Sequence, residues 1–270
     1  MICFPNAKIN LGLNIISKRP DGYHNIETVF YPVLLNDVLE FIPAKEGKTS
    51  IKVTGISLDI PGEMNISIKA YEMLSVEYNL PPLDIYLHKI IPSGAGLGGG
   101  SSDAAFFLKA LNSYFSLSLT EEILEQKALK LGSDCAFFIK NKPVFASGRG
   151  EVFEPVQINL TNYFLYLVKP DVFISTVQAY SSVKPKHPEY SLKDLVHIPV
   201  SDWKQFVMND FENNIFPQFP LLQGIKEELY KMGALYSSMS GSGSSIFGIF
   251  SEKPKKSAAF GNYFTHISAL

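Results

Sequence analysis

The sequence predicts an α+β protein of two domains, and three observations carry that prediction. Ala7 to Ile16 alternates as a strand does, with Ile9, Leu11, Leu13 and Ile15 on one face and Lys8, Asn10, Gly12 and Asn14 on the other. Ser102 to Tyr114 carries Ala105, Leu108 and Leu111 along one helical stripe. Strands and helices mix without strict βαβ alternation, and a Gly-rich stretch at Ser147 to Gly150 precedes a change of region. The expected division is therefore 1–150 and 151–270.

The remaining elements follow in order. Pro20-Asp-Gly-Tyr23 is a turn signal, because Pro and Gly supply the restricted and positive φ values that turns need. Strand-like runs follow at Thr28 to Leu35, Val38 to Ile42 and Ser50 to Val53. Asn65 to Tyr78 reads as a helix, and Pro81-Pro82 separates it from a strand over Leu83 to His88. Thr120 is a good N-cap for a helix with acids in its first turn. Gly132 to Phe138 begins a short helix or turn. Tyr163 to Val168 reads as a strand, a helix starts at Ser175, and further helical stretches lie around Trp203 and over Leu221 to Met232. Ala234 to Phe250 is a strand-loop-strand unit interrupted by Ser240-Gly-Ser-Gly-Ser-Ser245.

Composition bounds the function. At 46% hydrophobic, 19% charged and net charge −2, the chain is of the soluble globular class and lacks the basic stripe of a nucleic-acid binder. Cys3 and Cys135 have neither zinc spacing nor a disulfide framework and read as small buried apolar residues of a reducing compartment. No basic start with a long apolar core marks a signal peptide, and no apolar run reaches the length that crosses a bilayer. The expectation is a cytoplasmic protein with no nucleic-acid or membrane partner. His88, His187, His197 and His266 have no mutual spacing of a metal site.

The segment Pro92-Ser-Gly-Ala-Gly-Leu-Gly-Gly-Gly-Ser-Ser102 lies between a strand and a helix expected to start near Ser101 or Ser102. Glycine allows close backbone approach, and a helix N-terminus presents unpaired N–H groups and a positive dipole end, so together they suit phosphates. A flexible or tight packing loop is the plain alternative. Gly94, Gly96 and Gly99 formally match the dinucleotide fingerprint, but no following strand offers the ribose-binding acid. A Walker loop ending at Lys48-Thr49 fails because position 42 is Ile, and no His-Arg-Asp or Asp-Phe-Gly of the protein kinases occurs. A serine-hydrolase elbow fails at the second loop because position 240 is Ser.

Pro92, Gly96-Leu-Gly98 and Ser101-Ser102-x-Ala-Ala105 resemble the ATP-binding motif of the GHMP kinases. Pro5-Asn-Ala-Lys-Ile-Asn-Leu11 resembles the first motif of that superfamily, and Met239-Ser-Gly-Ser-Gly-Ser-Ser245 its third, in the expected order. The resemblance implies a two-domain GHMP kinase fold, with an N-terminal half like ribosomal protein S5 domain 2 and a ferredoxin-like C-terminal half. It implies ATP with Mg²⁺, held by Pro92, Ser93, Gly94, Ala95, Gly96, Leu97, Gly98, Gly99, Gly100, Ser101 and Ser102, with no protein metal ligand identified. Lys8 and Asp134 correspond to the catalytic lysine and aspartate. In isolation Lys8 would read as an edge-strand or surface lysine and Asp134 equally as a helix N-cap. Asn65 and Lys69 are adenine-pocket candidates by helix position and analogy.

Ala7-Lys-Ile-Asn10 with Asp21-Gly-Tyr-His24 is most similar to the branch whose small-molecule substrate carries cytidine diphosphate. By that resemblance Asn10, Tyr23, His24 and Tyr180 bind substrate: Tyr23 stacks on the cytosine, His24 reads its edge, and Tyr180 supplies a ring on the opposite side. The plain alternative for His24 is a turn histidine bonded to nearby backbone. Ser240 to Ser245 is expected to form a second glycine loop whose backbone faces the substrate's phosphates or the ATP γ-phosphate, with a simple hairpin loop as its plain alternative. Two rival readings stand beside this one: a mevalonate or homoserine type of kinase, and a silent nucleotide-binding protein. Monomer and homodimer are both left open.

Overall fold

The protein is described here by a computed structural model over residues 1–56, 65–181 and 183–270. In chain order, β1 (Ile2–Cys3), β2 (Asn6–Lys18), β3 (His24–Asn36), β4 (Val38–Pro43) and β5 (Ser50–Gly55) precede α1 (Ile66–Tyr78). Then come β6 (Leu83–Lys89), α2 (Gly99–Tyr114), α3 (Glu121–Leu131), α4 (Phe137–Lys140), β7 (Val144–Ser147), β8 (Val152–Pro155) and β9 (Phe164–Lys169). The last part holds α5 (Thr176–Tyr180), α6 (Trp203–Phe206), α7 (Glu212–Gln218), α8 (Pro220–Lys231), β10 (Tyr236–Met239), β11 (Ile246–Phe250) and β12 (Phe264–Ala269).

Caps fall where the side chains dictate. Asn65 Oδ1 accepts from Ser67 N at 2.9 Å to start α1, and Thr120 Oγ1 accepts from Ile123 N at 3.4 Å to start α3. Ser175 likewise caps α5 through Gln178 N at 3.1 Å. The pattern of the chain does not mark β7, β8, β12 or α7, which are short segments, and α7 contains Pro217.

Two compact units interleave along the chain. The first comprises Met1–Ala7, Leu35–Ser93 and Gly98–Lys142. Its sheet has the order β1-β4-β6-β5, antiparallel except for the parallel pair β5–β6, which α1 connects. Leu39, Phe41, Leu83, Ile85 and Leu87 of the sheet are buried, as are Ala70 and Leu74 of α1 and Ala104, Phe107, Leu108 and Leu111 of α2. The Phe41 and Phe107 rings meet at 5.3 Å between centroids, and burying each such side chain stabilises by about 1.5–3 kcal/mol.

The second unit comprises Lys8–Leu34, Gly94–Leu97 and Pro143–Leu270. It holds two sheets, β2-β3-β7-β8 and β10-β11-β9-β12. Leu13, Ile15 and Ile26 share one apolar cluster with Tyr166, Val168, Ile225, Leu229, Met239, Ile246 and Phe250. The segment 208–210 clips onto β2. Leu13 N donates to Met208 O at 2.8 Å, Asp210 N to Leu13 O at 2.8 Å, and Ile15 N to Asp210 Oδ2 at 2.8 Å.

Candidate active site

In the first unit the glycine segment becomes a helix earlier than its sequence suggests. α2 begins at Gly99, with Gly98 as an N-cap at φ 71°, so Ser101 and Ser102 lie inside its first turn. Ser102 N already donates to Gly98 O at 2.9 Å, so the amide donors left for an anion are those of Gly98, Gly99, Gly100 and Ser101. The serines lie inside because glycine tolerates the N-cap conformation that a serine would otherwise occupy. Ser102 is wholly buried, and its hydroxyl has no partner among the described residues.

Asp134 lies in the same unit, half-buried on a single 3₁₀ turn over Ser133–Cys135 that follows α3. The turn is capped by Gly132, so Asp134 does not serve as an N-cap. Burial pushes the Cys135 thiol up to about 11 and the Cys3 thiol up to about 12, so neither is a thiolate at neutral pH. Asn65 is buried as the cap of α1, and Lys69 is exposed on that helix.

In the second unit Lys8 is 3% exposed, the reverse of a surface lysine. Its Nζ donates to Asn10 Oδ1 at 2.7 Å and to Gly96 O at 3.1 Å, and lies 4.8 Å from the Phe30 ring centroid. Asn10 Nδ2 donates to Thr28 Oγ1 at 2.9 Å, and that hydroxyl donates onward to Gly12 O at 2.6 Å. A chain of bonds thus orients the amide so that its oxygen faces the ammonium.

The loop Ser240 to Ser245 joins the antiparallel pair β10–β11 and also packs against residues 94–97. Ser240 Oγ has a single proton, which goes to Gly96 O at 2.8 Å, while the oxygen accepts from Asn10 N at 3.3 Å. A Cβ on Gly96 would stand 1.9 Å from Ser240 O, and the residue has φ 74°, so only glycine fits. Asn209 is a residue that sequence reasoning missed. Its Nδ2 donates to Met239 O and to Gly241 O, each at 2.8 Å, and its Oδ1 accepts from Phe211 N at 3.0 Å, which fixes the second glycine loop from behind.

Tyr23 and His24 follow the turn as expected. Tyr23 N donates to Asp21 Oδ1 at 3.1 Å, and Asp21 pairs with Arg19 at 3.0 Å. Tyr23 is 58% exposed, with the Arg149 guanidinium 5.2 Å from its ring centroid. The His24 ring stacks on Tyr180, with centroids 4.8 Å apart and planes at 20°. Phe211 meets Tyr180 edge-on at 4.8 Å. The structure therefore joins His24 with Tyr180, and Tyr23 with Arg149. Among the described residues no hydrogen bond ties the His24 ring to nearby backbone. Burial, with Lys18 nearby, lowers its pKa.

These features have counterparts among known proteins. The GHMP kinases N terminal domain matches residues 65–142, and the GHMP kinases C terminal family matches residues 193–263. A Bacteroides fragilis protein named 4-diphosphocytidyl-2-C-methyl-D-erythritol kinase is 58% identical over 257 residues, 94% of either chain. The chain belongs to this family of GHMP kinases. A Parabacteroides distasonis relative of the same name is 56% identical over 254 residues, covering 94% of this GHMP kinase and 93% of its own length. The crystal structure of a 4-(cytidine 5'-diphospho)-2C-methyl-D-erythritol kinase superimposes with a TM-score of 0.79 at 30% identity, covering 92% of this chain and 89% of its own. A mevalonate kinase structure superimposes with a TM-score of 0.72 at 13% identity, over 93% of this chain and 91% of its own, a likeness of fold alone. No helix among the described residues of this GHMP kinase is long and apolar enough to cross a membrane.

Proposed function

We propose that this GHMP kinase transfers the γ-phosphoryl group of ATP to the 2-hydroxyl of 4-diphosphocytidyl-2-C-methyl-D-erythritol, a step toward isoprenoid precursors. The observation that carries the kinase chemistry is the burial of Lys8 against Gly96 of the glycine-rich segment. Hydrogen bonds to Asn10 Oδ1 and Gly96 O orient the buried ammonium, which can then offset charge on a phosphoryl group. The shared name and 58% identity of the Bacteroides fragilis relative support the substrate.

In this reading the amides of Gly98 to Ser101 and the segment from Pro92 to Ser102 bind the phosphates of ATP. Asp134 takes the proton of the substrate hydroxyl as its oxygen bonds to the γ-phosphorus and the bond to the ADP oxygen breaks. Lys8 offsets the charge that spreads over the moving phosphoryl oxygens. Tyr23, His24 and Tyr180 hold the cytosine, and Asn10 orients both Lys8 and the substrate. Among the described residues no three His, Cys, Asp or Glu side chains cluster to hold a metal. Mg²⁺ is assigned to the nucleotide and would enter with ATP. We place the protein in the cytoplasm, as a monomer or homodimer.

The test is turnover. Purified protein with Mg-ATP and the cytidine diphosphate substrate should release ADP and form the 2-phosphate. Turnover on mevalonate or homoserine in its place would overturn the substrate. ATP binding with no turnover on any acceptor would overturn the activity.

A further inference from the structure

Where β6 leads into the glycine-rich segment lie three ionisable side chains that the proposed chemistry does not use. Lys89 ends β6, Asp103 lies in the second turn of α2, and Asp37 sits between β3 and β4. They are 2%, 2% and 0% exposed. Lys89 Nζ donates to Asp103 Oδ2 at 2.6 Å and pairs with Asp37 Oδ2. The other oxygen of Asp37 accepts from Ile90 N at 2.5 Å and from Ile91 N at 2.8 Å. Those amides immediately precede Pro92, the first residue of the glycine-rich turn.

Both ends of the turn are thus tied to one ammonium. The entry is held through Asp37 and the amides of Ile90 and Ile91, and the exit through Asp103 on α2. Gly99, the first residue of α2, rests on this assembly. A Cβ there would stand 2.9 Å from Ile91 Cγ2 and 3.4 Å from Lys89 Nζ. Withdrawing three ionisable groups from water is expensive, and well-packed apolar side chains would serve stability as well or better. Their use at this spot therefore points to geometry. Burial and Asp37 raise the pKa of Asp103 to about 8 against the opposing pull of Lys89.

We propose that Lys89 and Asp103 are positioning residues for ATP: with Asp37 they set the exit of β6 against the first turn of α2, and so the convergence of the amide donors on the nucleotide phosphates. This rests on the ATP-dependent reading above. Neither side chain touches the reacting atoms.

The experiment compares the steady-state KM for ATP and for the cytidine substrate, with Tm, in Asp103→Ala, Asp103→Asn and Lys89→Arg. Asp103→Ala should raise the KM for ATP about 10-fold or more and leave the other KM within about 2-fold. Asp103→Asn retains an oxygen that can accept from Lys89 and should recover most of the ATP affinity. Lys89→Arg keeps the charge but replaces a point donor by a wide planar one, and should again raise the KM for ATP. A lowered Tm with an unchanged KM for ATP in Asp103→Ala would make the trio merely structural and overturn the inference. Should that variant not fold, the other two decide: a defect in Lys89→Arg with recovery in Asp103→Asn supports positioning, and any other pairing overturns it. Absence of ATP binding by the unaltered protein would overturn the kinase reading and this inference together.

Discussion

Lys8 shows how far a single residue can be read in one dimension. Its place on the strand face with Asn10 is plain from alternation, but a lone lysine there reads as exposed. Its burial depends on Gly96, which lies 88 residues away. Lys8→Met should lower kcat by about 10²–10³-fold, as loss of a charge-stabilising group does. It should also lower stability by about 1–3 kcal/mol, because Asn10 Oδ1 loses the ammonium donor and Gly96 O keeps only the Ser240 hydroxyl. Asp134→Asn should lower kcat by about 10²–10⁴-fold with KM values within a few-fold. Steady-state rates and thermal melts on the same preparations separate the two effects. A pH dependence is expected from His24 if it binds the substrate as proposed. Its pKa lies below the ordinary value of about 6.5, so the ring is neutral at pH 7 and gains a proton only as pH falls through the lowered value. Protonation removes the ring's hydrogen-bond acceptor, so the KM for the cytidine substrate should rise at acid pH while the KM for ATP stays level. The same sign applies to stability, which this group lowers as pH drops below its unfolded-state value. An equal acid response in His24→Gln would remove His24 from that role.

Elements were read with unequal success, for reasons of length and capping. β2, α1, α3 and α8 follow strong periodicity, a clear cap or both, and they appear where the pattern puts them. The start of α2 is displaced because Gly98 adopts the left-handed region and begins the helix before the serines that resemble caps. β7 and β8 are four residues each, too short for alternation to be distinguished from a loop. The loop Ser240 to Ser245 is a hairpin connection, and it also packs against the 94–97 segment. Asn209 gives no signal in the chain, since an Asn-Asp pair between helical stretches reads as a turn. Asn209→Ala would leave two carbonyls and one amide short of a partner, at about 1–3 kcal/mol for each group that water cannot reach. Urea melts should show that loss, with a raised KM for ATP because the loop behind Gly96 loosens.

At the scale of the whole molecule, the two units draw on segments that interleave along the chain, with boundaries at 7/8, 34/35, 93/94, 97/98 and 142/143. Compactness within each unit follows contacts between segments distant in sequence. Binding should stabilise such a molecule by mass action. A non-hydrolysable ATP analogue at about 100 times its Kd adds about 2.7 kcal/mol. In a thermal scan that is a rise of several degrees, and Gly96→Ala should show none, since its Cβ would collide with Ser240 O. What the chain determined alone was local and additive: strand period, helix caps, a phosphate-suited glycine run and three ordered motifs that resemble those of the GHMP kinases. What only the tertiary structure decided was convergence: Lys8 on Gly96, Ser240 on Asn10, His24 on Tyr180, and Lys89 between two aspartates. The reason is physical. Propensity and capping act over a few neighbouring residues, but burial and hydrogen-bond partners are set by contacts as far apart as the 230 residues between Asn10 and Ser240.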